Sequence, residues 1–384
     1  MPQTVIQNAP KALSFDPDPA KILLVMPTWV GDAVMATPFV NALINRFPDA
    51  ALTLVMHKHL APLLEGNPWM ATSQQKFWPP RNKEPATKIA NKQFIASLRA
   101  EAFDLAITLP NSFRSAWLCR RIGAKRRVGF NRDGRGLLLT DRIKVPNKLS
   151  KAEQRADPKR QPPGPFTPMP LVEYYAYLAL ALGCEHPGDN LRLFTEQGDD
   201  EAICARLAEA KVDLTNPLVV LCPGANFGAS KCWPAERFAA VADALVQEQG
   251  ATIAISPGPG EEPLAEAIAR TMNEASVLLT APCTSLGELK SLIRQADLLL
   301  GNDTGPRHFG RAFDTHRVTV FGPTEEQWTH TSHGRESIVR VDVPCGPCHQ
   351  KVCPLEHQVC MLDVSVDMVL HACRRELSAA RAIA

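Results

Sequence analysis

No stretch of this chain is apolar for long enough to cross a bilayer. The longest candidate, LVEYYAYLALALG at 171–183, carries Glu173 and falls short of the roughly 20 apolar residues a helical span needs. A basic segment joined to an apolar core is also missing near the start, where MPQTVIQNAPKALSFDPDP is mixed and broken by proline. That argues against a signal peptide and for a soluble cytoplasmic protein. The first strand is not followed by G-x-G-x-x-G, and no Gly-Lys-Thr or Gly-Lys-Ser of a P-loop appears, which disfavours a dinucleotide dehydrogenase and a P-loop NTPase. Aromatics are thin among the basic residues and no helix-turn-helix or RNA-binding motif is visible, so nucleic acid is not the expected partner.

What is there is ordinary globular material. With 45% apolar and 21% charged residues over 384 positions, the chain has enough for two packed domains. Charge is unevenly spread: residues 1–190 hold 25 Lys and Arg against 15 Asp and Glu, and the remainder holds 17 against 25. Arg114, Arg120, Arg121, Lys125, Arg126, Arg127, Arg132 and Arg135 lie within one short stretch. Such a field favours an anionic partner on the N-terminal half, an anionic glycolipid or phosphorylated substrate ahead of nucleic acid, and a negatively charged membrane surface would also satisfy it. A solvated helix face followed by a basic loop is the plain alternative.

Strand-like runs alternate with helical ones in both halves, which predicts an α/β chain with parallel sheets and crossover helices. The first half reads KILLVM, ALTLVM, FDLAITL and RRVGF; the second reads PLVVLC, ATIAIS, SVLLT, DLLLG and RVTVF. Pro234 opens and Gly250 closes the helix after PLVVLC. Two Rossmann-like domains follow, 1–190 and 191–384, with the boundary near Gly188–Leu193. The segments 76–93 and 147–170, rich in proline and charge, read as mobile loops. The final helical run, VSVDMVLHACRRELSAARA, could reach back to pack on the first domain.

The densest chemistry lies in ADLLLGNDTGPRHFGRAF at 296–313, where an apolar strand runs into a polar turn that opens a helix. Asn302, Asp303, Thr304, Gly305 and His308 gather donors, acceptors and an imidazole where an open α/β sheet binds ligands, at a helix start suited to phosphate. Asp303 or Thr304 could equally be ordinary caps. PGANFGASKCWP at 223–234 adds glycines that allow close backbone approach and Lys231, a cation suited to a diphosphate. SPGPGEEPLAEA places Glu261 and Glu262 at another helix start, either as dipole partners or as ligands of ribose hydroxyls. In the first half, Asp32 ends the first strand-to-helix turn, where it reads as a general base or, as readily, as a helix N-cap.

VGDAVMATP, LPNSFRSAWLCRRIGAKRRVGF, PGANFGASKCWP and GNDTGPRHFGRAF followed by VTVFGPT, taken in order, resemble glycosyltransferase family 9, the ADP-heptose:lipopolysaccharide heptosyltransferases, most closely the heptosyltransferase II type. The resemblance spans about residues 21–370. It implies a GT-B fold with an acceptor domain first and a donor domain second, and inverting, metal-independent transfer of heptose from ADP-heptose to the lipopolysaccharide inner core at the cytoplasmic face of the inner membrane. Asp32 would be the base. Asn226, Lys231, Glu261, Asp303, Thr304, Gly305 and His308 would bind the donor: Lys231 and the backbone of Thr304 and Gly305, with His308, at the diphosphate, Glu261 at ribose, and Asp303 near the sugar. Arg114, Arg120, Arg121 and Lys125 would meet the anionic acceptor, with peripheral association at the membrane. Asn226 and Phe227 stand where the family often has hydroxyl or charged residues, and Cys232 stands where arginine or histidine is frequent. Another nucleotide sugar or glycan acceptor, or a nucleotide-binding module without turnover, are the competing readings.

Four of the 11 cysteines fall in CGPCHQKVCPLEHQVC: Cys345, Cys348, Cys353 and Cys360. In a cytoplasmic chain this suggests metal or redox chemistry before disulfides. Only one Cys-x-x-Cys pair is present, whereas structural zinc sites usually show two, so a reduced, partly buried loop with no cofactor is favoured over zinc.

Overall fold

The computed structural model describes residues 9–80, 82, 84–156, 165–330 and 334–382. Its residues fall into two compact units: one gathers 1–148, 169–192 and 329–332, the other 149–168, 193–328 and 333–384.

The first unit is built on six parallel strands, β1 (Lys21–Val25), β2 (Ala51–Met56), β3 (Gln74–Phe77), β4 (Leu105–Thr108), β5 (Arg126–Phe130) and β6 (Asp141–Ile143), in the order β3-β2-β1-β4-β5-β6. Lys21 pairs with Ala51, and Ile22 with Leu105, so β1 lies between β2 and β4. Its residues Ile22 to Val25 are all buried, as expected of a parallel strand covered on both faces. One face packs against Leu118, Cys119 and Ile122. Helices α1 (Val30–Met35) and α2 (Thr37–Arg46) follow β1, and the corner between them is pinned by Thr37, whose hydroxyl donates to Val34 O at 2.8 Å and accepts from Arg192 N at 3.0 Å. Helices α3 (Pro85–Ala100), α4 (Phe113–Arg121) and α5 (Leu171–Ala181) complete this unit's main elements.

The second unit repeats the plan with β7 (Leu218–Cys222), β8 (Thr252–Ile255), β9 (Ser276–Leu278), β10 (Leu298–Asn302), β11 (Arg317–Val320) and β12 (Glu336–Val339), ordered β12-β11-β10-β7-β8-β9. Its core is packed from Val219, Leu221, Phe238, Ile253, Leu300 and Val320 with helices α6 (Ala235–Gln249), α7 (Glu262–Thr271) and α10 (Val366–Arg381). Between α7 and α10 lie α8 (Leu286–Gln295) and α9 (Gly305–Ala312). The β7–β10 contact is unusually close: a Cβ on Gly301 would stand 2.7 Å from Cys222 O, so only glycine fits. In both sheets the order reverses between two adjacent strands, β1 and β4 or β7 and β10, and the loops leaving their carboxyl ends open a crevice there. The outermost strands are short, four, three, three and four residues for β3, β6, β9 and β12.

Two expectations are corrected. The span 76–93 is only partly a loop: β3 ends in it at Phe77 and α3 begins at Pro85, a proline placed in the first turn where its missing N–H costs nothing, with Thr87 and Leu98 buried; residues 78–80, 82 and 84 between them form the loop, and 81 and 83 lie outside the described residues. Within 147–170 a helix spans Lys151–Ala156, and 157–164 lie outside the described residues. Helix α10 buries Val369, Leu370, Ala372, Cys373 and Leu377 in the second unit's core.

Candidate functional site

In the second unit the loop after β7 is held at both ends by one side chain. Asn302, buried at the end of β10, donates from Nδ2 to Pro223 O at 2.5 Å and accepts from Trp233 N at 3.2 Å. Trp233 is itself buried, donates its indole N–H to Val364 O at 3.0 Å and meets the Phe238 ring edge-on at 5.0 Å. A buried indole with its donor satisfied is a strong anchor for the loop it terminates. Asn302 therefore frames the loop instead of facing solvent as a ligand.

Between those anchors Lys231 turns inward. Its ammonium lies 2.5 Å from Asp303 Oδ2 and 3.1 Å from Asp303 O, and sits 4.9 Å from the centre of the Phe227 ring. The Asp303 carboxylate also accepts from Thr324 Oγ1 at 2.8 Å and lies 3.7 Å from Arg307. Burial alone would raise the Asp303 pKa, but the Lys231 and Arg307 cations outweigh it and hold the carboxyl below its usual range. Asp303 is thus ionised and fully engaged, and the idea that it caps α9 fails. Thr304, the residue before α9, has no side-chain cap bond either, and its φ of −142° is extended. The first turn of α9, from Gly305, is left without a side-chain cap.

Arg307 and Glu336 extend this network and were not picked out from the sequence. Arg307 Nε and Nη2 lie 2.5 and 3.1 Å from Glu336 Oε1 and Oε2, Arg317 Nη2 lies 3.3 Å from Oε2, and the Thr319 hydroxyl donates to Oε1 at 2.7 Å. Burial opposes ionisation of Glu336, yet Arg307 and Arg317 lower its pKa to about 2. A buried arginine one residue before His308 was the available signal, but an isolated arginine in a sequence looks like a surface residue. His308 is buried, and that burial, with the neighbouring Arg307 charge, lowers its pKa to about 3. It is a neutral imidazole, not a cation.

Glu261 sits just before α7 and turns its Oε2 back to accept from Gly258 N at 2.9 Å. A Cβ on Gly224 would stand 1.7 Å from that oxygen, so the carboxylate lies directly on the loop after β7. Lys231, Asp303, Glu261 and the start of α9 thus share the carboxyl edge at the β7–β10 reversal. Asn226 is exposed on the same loop.

The Cys-rich segment supports this loop from behind. Ser230 donates from its hydroxyl to Gln350 O at 2.6 Å and from its backbone to Lys351 O at 3.2 Å. Cys345, Cys348, Cys353 and Cys360 line one small cavity beside Ser230, and all are free thiols. Among the described residues no three His, Cys, Asp or Glu side chains are grouped to hold a metal ion.

In the first unit, Asp32 is the third residue of α1 and Trp29 is the extended residue before it, without a cap bond. The N-cap reading of Asp32 is therefore wrong; it stands in the first turn, near enough to Tyr175 that its charge adds to burial in pushing that phenol well above its usual value. The basic run divides. Arg114 stacks 4.2 Å over Trp78 and reaches Pro79 O, Lys125 pairs with Asp104 at 2.7 Å, and Arg126 pairs with Asp141 at 2.5 Å. Arg135 is buried, donates to Phe130 O, Pro110 O and Asn111 Oδ1, and burial lowers its pKa to about 10. Arg120 and Arg121 are exposed.

Residues 92–156 and 159–359 match the model of glycosyltransferase family 9 (heptosyltransferase). Lipooligosaccharide heptosyltransferase 2 of Campylobacter jejuni is 26% identical over 372 residues, covering 93% of this chain and 98% of that protein. Among solved structures, the E. coli ADP-heptose lps heptosyltransferase II aligns with a TM-score of 0.71 at 23% identity, covering 94% of this chain and 99% of that one. The glycosyl transferase family 9 structure from Veillonella parvula aligns at 0.75 with 18% identity, covering 94% and 97%. The fold of these neighbours is the GT-B arrangement of two Rossmann-like domains.

Proposed function

The chain belongs to glycosyltransferase family 9, and from that premise we propose that it moves heptose from ADP-heptose to the inner core of lipopolysaccharide, with inversion and without a metal ion. The observation that carries this reading is the convergence of Lys231, Asp303 and the uncapped start of α9 at the β7–β10 reversal. A departing ADP needs its growing negative charge stabilised, and a held lysine with a helix N-terminus supplies that without a metal. Lys231 and the backbone at Thr304 and Gly305 take the diphosphate, His308 packs behind them as a neutral ring, Glu261 takes the ribose hydroxyls, and Asn226 lies at the loop's outer edge. Asp303 orients Lys231 and lies toward the sugar.

Asp32 is the base in this proposal. It accepts the proton of the acceptor hydroxyl as the oxygen bonds to the anomeric carbon, while the bond from that carbon to the diphosphate oxygen breaks and its electron pair leaves with ADP. The electropositive first half suits an anionic glycolipid and so supports a reaction at the cytoplasmic face of the inner membrane. Among the described residues no helix is long and apolar enough to cross a membrane. The test is thermal stabilisation by a panel of nucleotide sugars. ADP-heptose and ADP should raise the melting temperature most; a preference for uridine donors would overturn the donor assignment.

A further inference from the structure

Helix α4 shows two faces. Ser115, Ala116, Leu118 and Cys119 are buried, Leu118 and Cys119 against the first sheet, while Phe113 and Trp117 remain 55% and 38% exposed. Phe113, Trp117, Arg120 and Arg121 are spaced at i, i+4, i+7 and i+8, which at 3.6 residues per turn places all four within one outward arc. Arg121 lies 5.5 Å over the Trp117 ring. The end of the helix is braced by Arg99 of α3, whose side chain donates to Arg121 O at 3.1 and 2.5 Å, so this face is presented on a fixed frame. No acidic residue occurs in α4, and Lys125, four residues beyond it, is paired with Asp104.

Two large aromatic rings left in solvent beside two arginines that form no ion pair among the described residues are a poor arrangement for a surface that meets only water. They suit a boundary between water and lipid, where aromatic rings settle at headgroup depth and arginines meet lipid phosphates. Arg114 and Lys125, grouped with these arginines by sequence alone, are turned to other partners, so the outward charge of α4 is concentrated on Arg120 and Arg121.

We propose that the outer face of α4, made by Phe113, Trp117, Arg120 and Arg121, docks the protein on the surface of an anionic lipid bilayer. The inference deepens the proposed function, since a glycolipid acceptor is presented from such a surface, and it rests on that reading only for its purpose. Docking is shallow: the rings enter the headgroup layer and the guanidinium groups neutralise lipid charge, a weak, reversible association that salt weakens further.

The experiment is co-sedimentation of the full chain with vesicles of phosphatidylcholine containing about one third phosphatidylglycerol, against vesicles of phosphatidylcholine alone. The expected result is preferential binding to the anionic vesicles, reduced at least about tenfold in Phe113→Ser/Trp117→Ser and, with loss of salt dependence, in Arg120→Glu/Arg121→Glu. Unchanged melting temperatures establish that both variants are folded. The aromatic variant should keep wild-type turnover on an acceptor stripped of its acyl chains. Absence of wild-type binding, or equal binding by the aromatic variant, would overturn the docking face. Vesicle binding without heptose transfer to the stripped acceptor would instead count against the proposed function and leave the docking face standing.

Discussion

Lys231 Nζ and Asp303 Oδ2 stand 2.5 Å apart, on loops that leave two different strands of the second sheet, and both side chains are about nine-tenths buried. A lysine is long and flexible, and fixing it costs up to about 2 kcal/mol of rotamer entropy. Here Asp303 has already fixed it. An incoming diphosphate meets an ammonium whose position is set before binding, and whose third donor remains directed by the first two.

Replacing Lys231 with alanine should therefore raise the ADP dissociation constant by about tenfold to a hundredfold, the range expected for a charge-assisted contact of ~1.5–3 kcal/mol. The same change leaves the Asp303 carboxylate with less compensation, so the melting temperature should fall as well. Titration calorimetry with ADP and thermal unfolding read the two effects separately. Wild-type ADP affinity in this variant would remove Lys231 from the donor site.

Asp32→Asn should lose turnover by roughly a thousandfold or more while binding ADP normally, because the amide keeps the shape but accepts no proton. Steady-state transfer assays paired with ADP calorimetry check this. Turnover within a few-fold of wild type would exclude Asp32 as the base.

Two glycines should respond differently to alanine. At Gly224 the new methyl meets the movable Glu261 carboxylate, so the expected loss is in donor affinity with little change in stability. At Gly301 it meets the backbone oxygen of Cys222, which cannot swing away, and a cost of ~1–3 kcal/mol of folding stability is expected. Denaturant unfolding of both variants makes the comparison.

Acid should destabilise the second unit in two stages. His308 is neutral when folded, with its pKa lowered to about 3, so below its ordinary value of 6.5 the unfolded chain binds the extra proton and stability falls as pH drops from about 6.5 toward 3. Glu336, lowered to about 2 from 4.5, contributes stability that is present above 4.5 and disappears as pH falls toward 2. Each contribution is on the order of a few kcal/mol. His308→Gln should flatten the dependence of melting temperature on pH between about 6.5 and 4, and Glu336→Gln should lower stability at neutral pH while flattening the lower part.

The strands in the middle of each sheet were legible because burial on both faces leaves continuous apolar runs such as KILLV and LVVLC. The edge strands β3, β6 and β12 were not, since QQKF, DRI and ESIV are short and polar and carry no such signal. The loops at the β7–β10 reversal could be found because glycine, lysine and acidic residues follow recognisable strands. Their internal pairing could not. Nothing in the spacing of Lys231 and Asp303 says that they touch, or that Arg307 is buried against Glu336. Likewise the basic run 114–135 looked uniform, whereas folding sends Arg135 inward and leaves Arg120 and Arg121 outside.

The brevity of the four outermost strands has a consequence for how the protein behaves when crowded. An edge of three or four residues gives an approaching strand little backbone to pair with, and β3 adds the charge of Lys76. Both sheets thereby resist growing into a neighbour's sheet, a built-in protection against aggregation. Any self-association must run through side-chain surfaces and not through continuation of the ladders.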